Sequence, residues 1–285
     1  MARLFITGGT GYLSSALLRR AAEAGHLICA SYFSQSPPVA PNTIWTPLDI
    51  REPIAVEEAM EHFQPEVVIH TAFRQFGPDV WAITAEGSGN VARAAASLGA
   101  RLIHMSSDVI FDGEGERPYN EQDPPNPISD YGSAKAAAEQ MVTATDPTAA
   151  IVRTSLIYGF EPIDRQTQFA LEVAAGQRND RLFSDEYRCP VFVEDLAAAL
   201  LELAESDYAG ILNVAGAERL SRYEFGTLMV RACGADPALI GAALSAESGM
   251  RRPRNCTLDI GRAQAILKTQ LRGVREVLRD LGRLA

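Results

Sequence analysis

The sequence predicts an α/β protein: a doubly wound parallel sheet with a smaller part interleaved toward the C-terminal end. Two observations predict it. Short apolar runs of strand length alternate with helix-length runs from Leu4 to Thr154, which is how a parallel sheet wrapped by crossover helices reads. The first apolar run, Leu4-Phe5-Ile6, leads straight into Thr7-Gly8-Gly9-Thr10-Gly11 and then a helical run over residues 13–23. Strand, glycine turn and helix in that order form the opening unit of a dinucleotide-binding fold.

The elements follow in order. Gly8 permits the tight turn off the first strand, and Gly11, without a Cβ, lets backbone approach a pyrophosphate. The N–H groups of the helix start face that anion, so Gly8, Thr10, Gly11, Tyr12 and Leu13 are candidate contacts. Ser14 stands where a third glycine is usual and is small enough to be tolerated there. Residues 27–33 read as a second strand. The acid that would hold the adenosine ribose hydroxyls in an NAD-specific fold is missing after it, since no Asp or Glu occurs between Glu23 and Asp49. Ser31, Tyr32, Ser34 and Ser36 offer hydroxyls to a 2′-phosphate instead, and Arg19 and Arg20 are the nearest arginines in sequence. That tips the cofactor toward NADP(H) over NAD(H).

Residues 37–42 read as a loop and 43–48 as a third strand ending at Asp49-Ile50. Asp49 reads first as the cap of a helix over residues 52–63, and second as a contact to adenine. A fourth strand, 67–70, precedes Thr71-Ala72; a long helix over 80–98 leads to a fifth strand, 101–105. His70 and His104 end strands, a placement that is more often structural than catalytic. Residues 112–130 read as a surface loop, 131–141 as a helix and 149–154 as a sixth strand. Beyond it the alternation degrades: 161–188 is polar and irregular, 193–203 and 222–232 are helical, 211–214 is a short strand, and 264–284 has helical spacing. The predicted division is residues 1–155 for the dinucleotide and 156–285 mainly for substrate.

Composition narrows the function. The 285 residues carry 47% hydrophobic residues and a net charge of −10, which excludes nucleic acid as the main partner. No apolar run has membrane-spanning length and no signal peptide is evident, so a cytoplasmic protein is expected. The four cysteines are widely spaced, which suits reduced thiols and provides no zinc site. Arg251-Arg252-Pro253-Arg254 is the densest cationic cluster, suited to a phosphorylated small molecule.

Two stretches carry chemistry. Ser106-Ser107-Asp108 closes the fifth strand at the sheet edge where ligands bind in such folds. Tyr131 and Lys135 lie four apart on one helix face, in a chain with only two lysines. An ammonium beside a phenol lowers its pKa and eases proton exchange, a task the planar, bulkier arginine performs less well.

Taken together, the glycine loop, the Ser-Ser-Asp and the Tyr-x-x-x-Lys resemble the extended short-chain dehydrogenases/reductases, which have a Rossmann-like fold. More narrowly, the chain resembles the dTDP-4-dehydrorhamnose reductase subfamily. The stretches that match it are Ser106 to Gly113, Tyr131 with Lys135 and Glu139, Arg153-Thr154-Ser155 leading to Tyr158-Gly159, Pro190 with Glu194-Asp195-Leu196, Ser221 to Phe225, and Arg252-Pro253. The resemblance implies an NAD(P)H-dependent reductase of a keto group on a nucleotide-linked sugar. It implies Tyr131 as proton donor, Lys135 tuning the phenol and holding the nicotinamide ribose, and Ser107 bonding the substrate carbonyl. Asp49 and Ile50 would sit by adenine, Thr71 and Ala72 along the cofactor, and Asp108, Leu156 and Arg252 by the substrate. Leu156 replaces a usual Trp, Thr84 a frequent Asn, and Ala16 an acid associated with metal in some members, so no metal is expected. A non-catalytic cofactor-binding regulatory subunit and an epimerase or dehydratase are the alternatives, and a homodimer is left open.

Overall fold

The computed structural model describes residues 1–284. Six strands and their helices alternate as the sequence predicts: β1 Arg3–Thr7, α1 Tyr12–Glu23, β2 Leu27–Tyr32, β3 Thr43–Pro47, α2 Pro53–Phe63, β4 Val67–His70, α3 Gly87–Ser97, β5 Arg101–Ser107, α4 Asp130–Thr145 and β6 Ala150–Thr154. The remainder holds β7 Ile157–Tyr158, α5 Arg165–Ala174, β8 Leu182–Phe183, β9 Tyr187–Arg188, β10 Val191–Phe192, α6 Val193–Ala204, β11 Gly210–Asn213, β12 Leu220–Ser221, α7 Arg222–Ala232, β13 Ala242–Ala243, α8 Gly261–Ile266 and α9 Val274–Asp280.

The main sheet has seven parallel strands in the order β11-β6-β5-β4-β1-β2-β3. Buried strands such as Val67-Val68-Ile69 are apolar on both faces because helices cover both. One face buries Leu17, Leu18, Leu196 and Leu200 from α1 and α6; the other buries Val56, Met60, Val91 and Val142 from α2, α3 and α4. A separate core, including Phe225, Met229, Val274 and Leu278, holds α7 and α9 together. Strand order reverses between β1 and β4, and such a switch point opens a crevice at the strands' C-terminal ends.

Three sequence readings are corrected. The helix predicted over 80–98 begins as a π-helical turn, Ala82–Glu86, before α3. Gly87 packs so closely that a Cβ there would lie 2.8 Å from the Ile50 side chain. The helix predicted over 264–284 is two short helices. Between them the chain runs across α6, where Glu202 accepts the Lys268 and Thr269 N–H groups and Asp195 pairs with Arg272 at 2.6 Å. The stretch called irregular, 161–188, contains α5, capped by Asp164, whose carboxylate accepts the Gln166 and Thr167 N–H groups.

Candidate active site

The glycine loop is built from the bottom of the crevice upward. Gly8 has φ +67°, and a Cβ there would lie 2.9 Å from Ala72 Cα, so only glycine fits. Its N–H donates to Ser31 Oγ at 3.2 Å, the Gly9 N–H to Ser31 O at 2.7 Å, and the Gly11 N–H to Gly8 O at 2.9 Å. Ser14 does more than fit in place of a third glycine. Its hydroxyl donates to Gly8 O at 2.9 Å and lies 3.0 Å from Thr71 Oγ1, which donates to Thr7 O at 2.6 Å. The loop is thus tied to the end of β4. Helix α1 starts with no side-chain cap and no acid in its first turn, leaving its N-terminal dipole to an anion from outside. The cradle therefore fits a dinucleotide pyrophosphate.

A cleft of about 210 Å³ opens above this loop. Of the residues predicted to hold cofactor, Gly8, Thr10, Gly11, Ser31, Tyr32, Asp49, Ile50, Thr71 and Ala72 line it. Tyr12, Leu13, Tyr131 and Lys135 do not: the Tyr12 hydroxyl donates to Pro162 O at 3.2 Å, Leu13 is buried in the core, and Tyr131 and Lys135 lie behind Phe73 of the cleft wall. Ser31 is buried with its hydroxyl accepting the Gly8 N–H, rather than free at the surface. Arg19 and Arg20 are both taken by Glu194, at 2.5 and 2.7 Å, on the side where α1 meets α6. Asp49 does not cap α2, because Pro53 sets the helix start after Glu52. Its carboxylate instead accepts the Arg51 N–H at 3.0 Å and binds the Arg51 guanidinium at 2.6 Å, which holds it below the usual carboxylate range. Phe33 and Arg51 at this end, and Arg74 on the far rim after β4, were missed, because no motif marks them.

The Gly11 backbone, at φ −74°, accommodates a side chain, and its Cβ would meet Gly8 O at 3.1 Å. Gly11→Val is therefore expected to fold yet to lose at least about tenfold in dinucleotide affinity, roughly 1.4 kcal/mol or more. Fluorescence titration with NADPH, beside a circular dichroism control, checks it.

The second half of the site lies one strand away. Ser107 ends β5, and α4 starts against the turn that follows. A Cβ on Gly132 would lie 2.2 Å from Val109 O, so this glycine lets the first turn of α4 press onto the Ser107–Val109 segment. The Tyr131 phenol is thereby set beside the Ser107 side chain. Burial raises the phenol pKa, the Asp108 carboxylate raises it further, and the neighbouring Ser107 hydroxyl opposes them. The predicted lowering by Lys135 is thus corrected. Lys135 is buried and its Nζ donates to Met105 O at 2.7 Å, 5.4 Å from the centre of the Phe73 ring, which packs on Tyr131 at 5.6 Å. Burial lowers Lys135 to about 8, with Glu139 opposing. His70 is structural, bonded to Thr7 at 2.6 Å and Ser88 at 2.9 Å. Thr84, from the π-turn, bonds both the N–H and the carbonyl of Arg74 at 2.9 Å, holding the cleft rim.

Beneath the pair, Glu139 and Arg153 form a buried ion pair at 2.8 Å, and Ser106 donates to the same carboxylate at 2.5 Å. This joins α4, β5 and β6 directly under Ser107 and Lys135.

The substrate side is more cationic than sequence spacing suggests. Asp108 is buried, accepts the Ser155 hydroxyl at 2.6 Å and faces Arg188 Nε at 3.6 Å. Its carboxylate is engaged by the protein, and burial raises its pKa. Arg252 pairs with buried Glu186, and the Arg222 N–H donates to Glu186 O at 2.9 Å. Burial, with Arg188 beside it, lowers Arg222 to about 10. Arg188 and Arg222 were missed; only folding brings them to Arg252. Arg254 is held by Glu114, away from the group. Half-buried Leu156 accepts the Val191 N–H at 2.8 Å through its carbonyl, which leaves its side chain an aliphatic wall.

Over residues 2–283 the chain matches the family described as the RmlD substrate binding domain. The chain belongs to this family. It is 34% identical to a dTDP-4-dehydrorhamnose reductase of Mycobacterium tuberculosis over 89% of this chain and 83% of the relative. It is 28% identical to the methionine adenosyltransferase 2 subunit beta of Bos taurus over 93% of this chain and 82% of the relative. The solved dTDP-4-dehydrorhamnose reductase of Bacillus anthracis, in complex with NADP, shares its fold with TM-score 0.84, 22% identity, and 98% and 97% of the two chains covered. In this RmlD-family chain Ala16, where some members carry an acid, packs in the core on α1. Among the described residues no cluster of three or more His, Cys, Asp or Glu is placed to hold a metal, and no helix is long and apolar enough to cross a membrane.

Proposed function

We propose that this chain is an NAD(P)H-dependent reductase of a keto group on a nucleotide-linked sugar, of the dTDP-4-dehydrorhamnose reductase type. The observation that carries this reading is the Tyr131 phenol beside Ser107 and packed on Phe73 of the glycine-loop cleft, with Lys135 buried one turn along α4. When bound, the cofactor supplies a hydride for the carbonyl carbon. Ser107 donates a hydrogen bond to the carbonyl oxygen, and Tyr131 delivers the proton to that oxygen. The phenol carries its proton at neutral pH, as a donor to the carbonyl oxygen must, which suits the reducing direction. Lys135 serves the nicotinamide ribose, and Arg188, Arg222 and Arg252 face the substrate's phosphates. Residues 1–155 serve the dinucleotide and 156–285 mainly the substrate. NADPH is the favoured cofactor, in keeping with the relative solved with NADP and the absence of a free acid after β2. The four free cysteines suit a cytoplasmic setting.

The ammonium of Lys135 is present below about 8 and lost above it. kcat/KM is therefore expected to fall as pH rises through about 8, and a pH–rate profile checks this. The reading itself is tested by consumption of NADPH with dTDP-4-dehydrorhamnose. Turnover is expected. NADPH binding without turnover of any keto-sugar nucleotide would favour a non-catalytic, cofactor-binding subunit, although such a role has no use for the trio.

A further inference from the structure

The adenosine end of the cleft contains an ion pair that no motif announces. Asp49 and Phe33 line the cleft, and Arg51 bridges them. The Arg51 guanidinium binds both Asp49 oxygens, Nε at 3.0 Å to each and Nη2 at 2.6 Å to one. Its Cζ lies over the half-exposed Phe33 ring, 5.6 Å from the centre. Nη1 makes no hydrogen bond and is ion-paired only loosely, at 3.6 Å, with the half-exposed Asp79. Arg51 is about one-third exposed, so that edge of the fork is open to a ligand.

We propose that Arg51 is the residue that selects a 2′-phosphorylated adenosine ribose, and that it does so in two ways at once. Asp49 is the one carboxylate among the described residues lining the cleft. Left free, its negative charge at the adenosine end would repel a 2′-phosphate. Paired with Arg51, it does not. The same guanidinium offers its Nη1 edge, held only by the loose pair with Asp79, to the phosphate, a charge-assisted contact for which arginine is suited. Arg19 and Arg20 are bound by Glu194 elsewhere, and Arg74 is placed on the opposite rim, after β4.

This inference rests on the cofactor reading, and its test uses binding alone, without sugar turnover. The full chain is titrated calorimetrically with adenosine 2′,5′-bisphosphate and with 5′-ADP. The wild type is expected to prefer the 2′-phosphorylated ligand. Arg51→Ala is expected to weaken that ligand about ten- to a hundredfold while changing 5′-ADP less than about threefold. Arg51→Ala with Asp49→Asn is expected to recover part of the loss, because the unmasked carboxylate is gone; a merely structural role for Arg51 would not produce that recovery. Arg74→Ala is expected to leave the discrimination in place. Equal loss for both ligands in Arg51→Ala, or an unchanged preference, would overturn the assignment. Failure of the wild type to bind either ligand would overturn the cofactor reading and the assignment with it.

Discussion

Replacing Tyr131 by Phe is expected to lower turnover by about 10²–10⁴-fold while leaving the fold and cofactor affinity near those of the wild type. The phenyl ring keeps the packing on Phe73, 5.6 Å away, so the fold has no reason to change. What disappears is the phenolic hydroxyl beside Ser107, and with it the proton. Steady-state kinetics with NADPH and a keto-sugar nucleotide, beside NADPH titration, checks both halves. Wild-type turnover in Tyr131→Phe would remove Tyr131 from the chemistry. The loss should fall on kcat and on kcat/KM alike, because the proton is needed only as the carbonyl is reduced.

Arg153→Met is expected to be the largest single loss of stability. Arg153 is 1% exposed and its partner Glu139 is 5% exposed, so removal of the cation leaves a carboxylate buried without its counter-charge. Breaking such a pair costs about 3–5 kcal/mol, which in a chain of this size lowers Tm by roughly 10 °C. Arg153→Met with Glu139→Leu should recover most of it, because replacing a whole buried pair by apolar groups is often neutral. Arg153 Nη1 has no partner even in the native pair, which strengthens that expectation. Thermal melts of the two variants and the wild type decide it. A single variant as stable as wild type would mean that Ser106 and the strand dipoles suffice to hold Glu139.

What was legible in the sequence follows its locality. The glycine loop, the Ser-Ser-Asp turn and the Tyr131–Lys135 spacing are each encoded within a few residues, and each lies at the switch-point edge of the sheet. The parallel sheet was readable because strands such as Val67-Val68-Ile69 are apolar on both faces. Contacts set by folding were not legible. Lys135 was expected to act on the phenol, but the carbonyl of Met105, thirty residues earlier, takes its ammonium. Arg188 carries no motif, Arg222 sits unremarked within the Ser221 to Phe225 stretch, and both meet Arg252 only because β9 and β12 pair. Asp49 looked like a cap because a helix follows it, yet the guanidinium two residues on competes better for a carboxylate than backbone N–H groups do. The Asp164 cap before α5 was legible and was overlooked in a polar stretch. The break between α8 and α9 was not, since it depends on Glu202 and Asp195 of α6.

The most direct test of the central claim is the fate of the hydride. The chain is incubated with NADPH deuterated at the transferable position and with dTDP-4-dehydrorhamnose, and the sugar nucleotide is analysed by mass spectrometry and NMR. The account predicts a product carrying a single deuteron on the former keto carbon, formed as the cofactor is oxidised and far more slowly by Tyr131→Phe. A reduced sugar without deuterium, or an unreduced sugar beside bound and unoxidised cofactor, would contradict it.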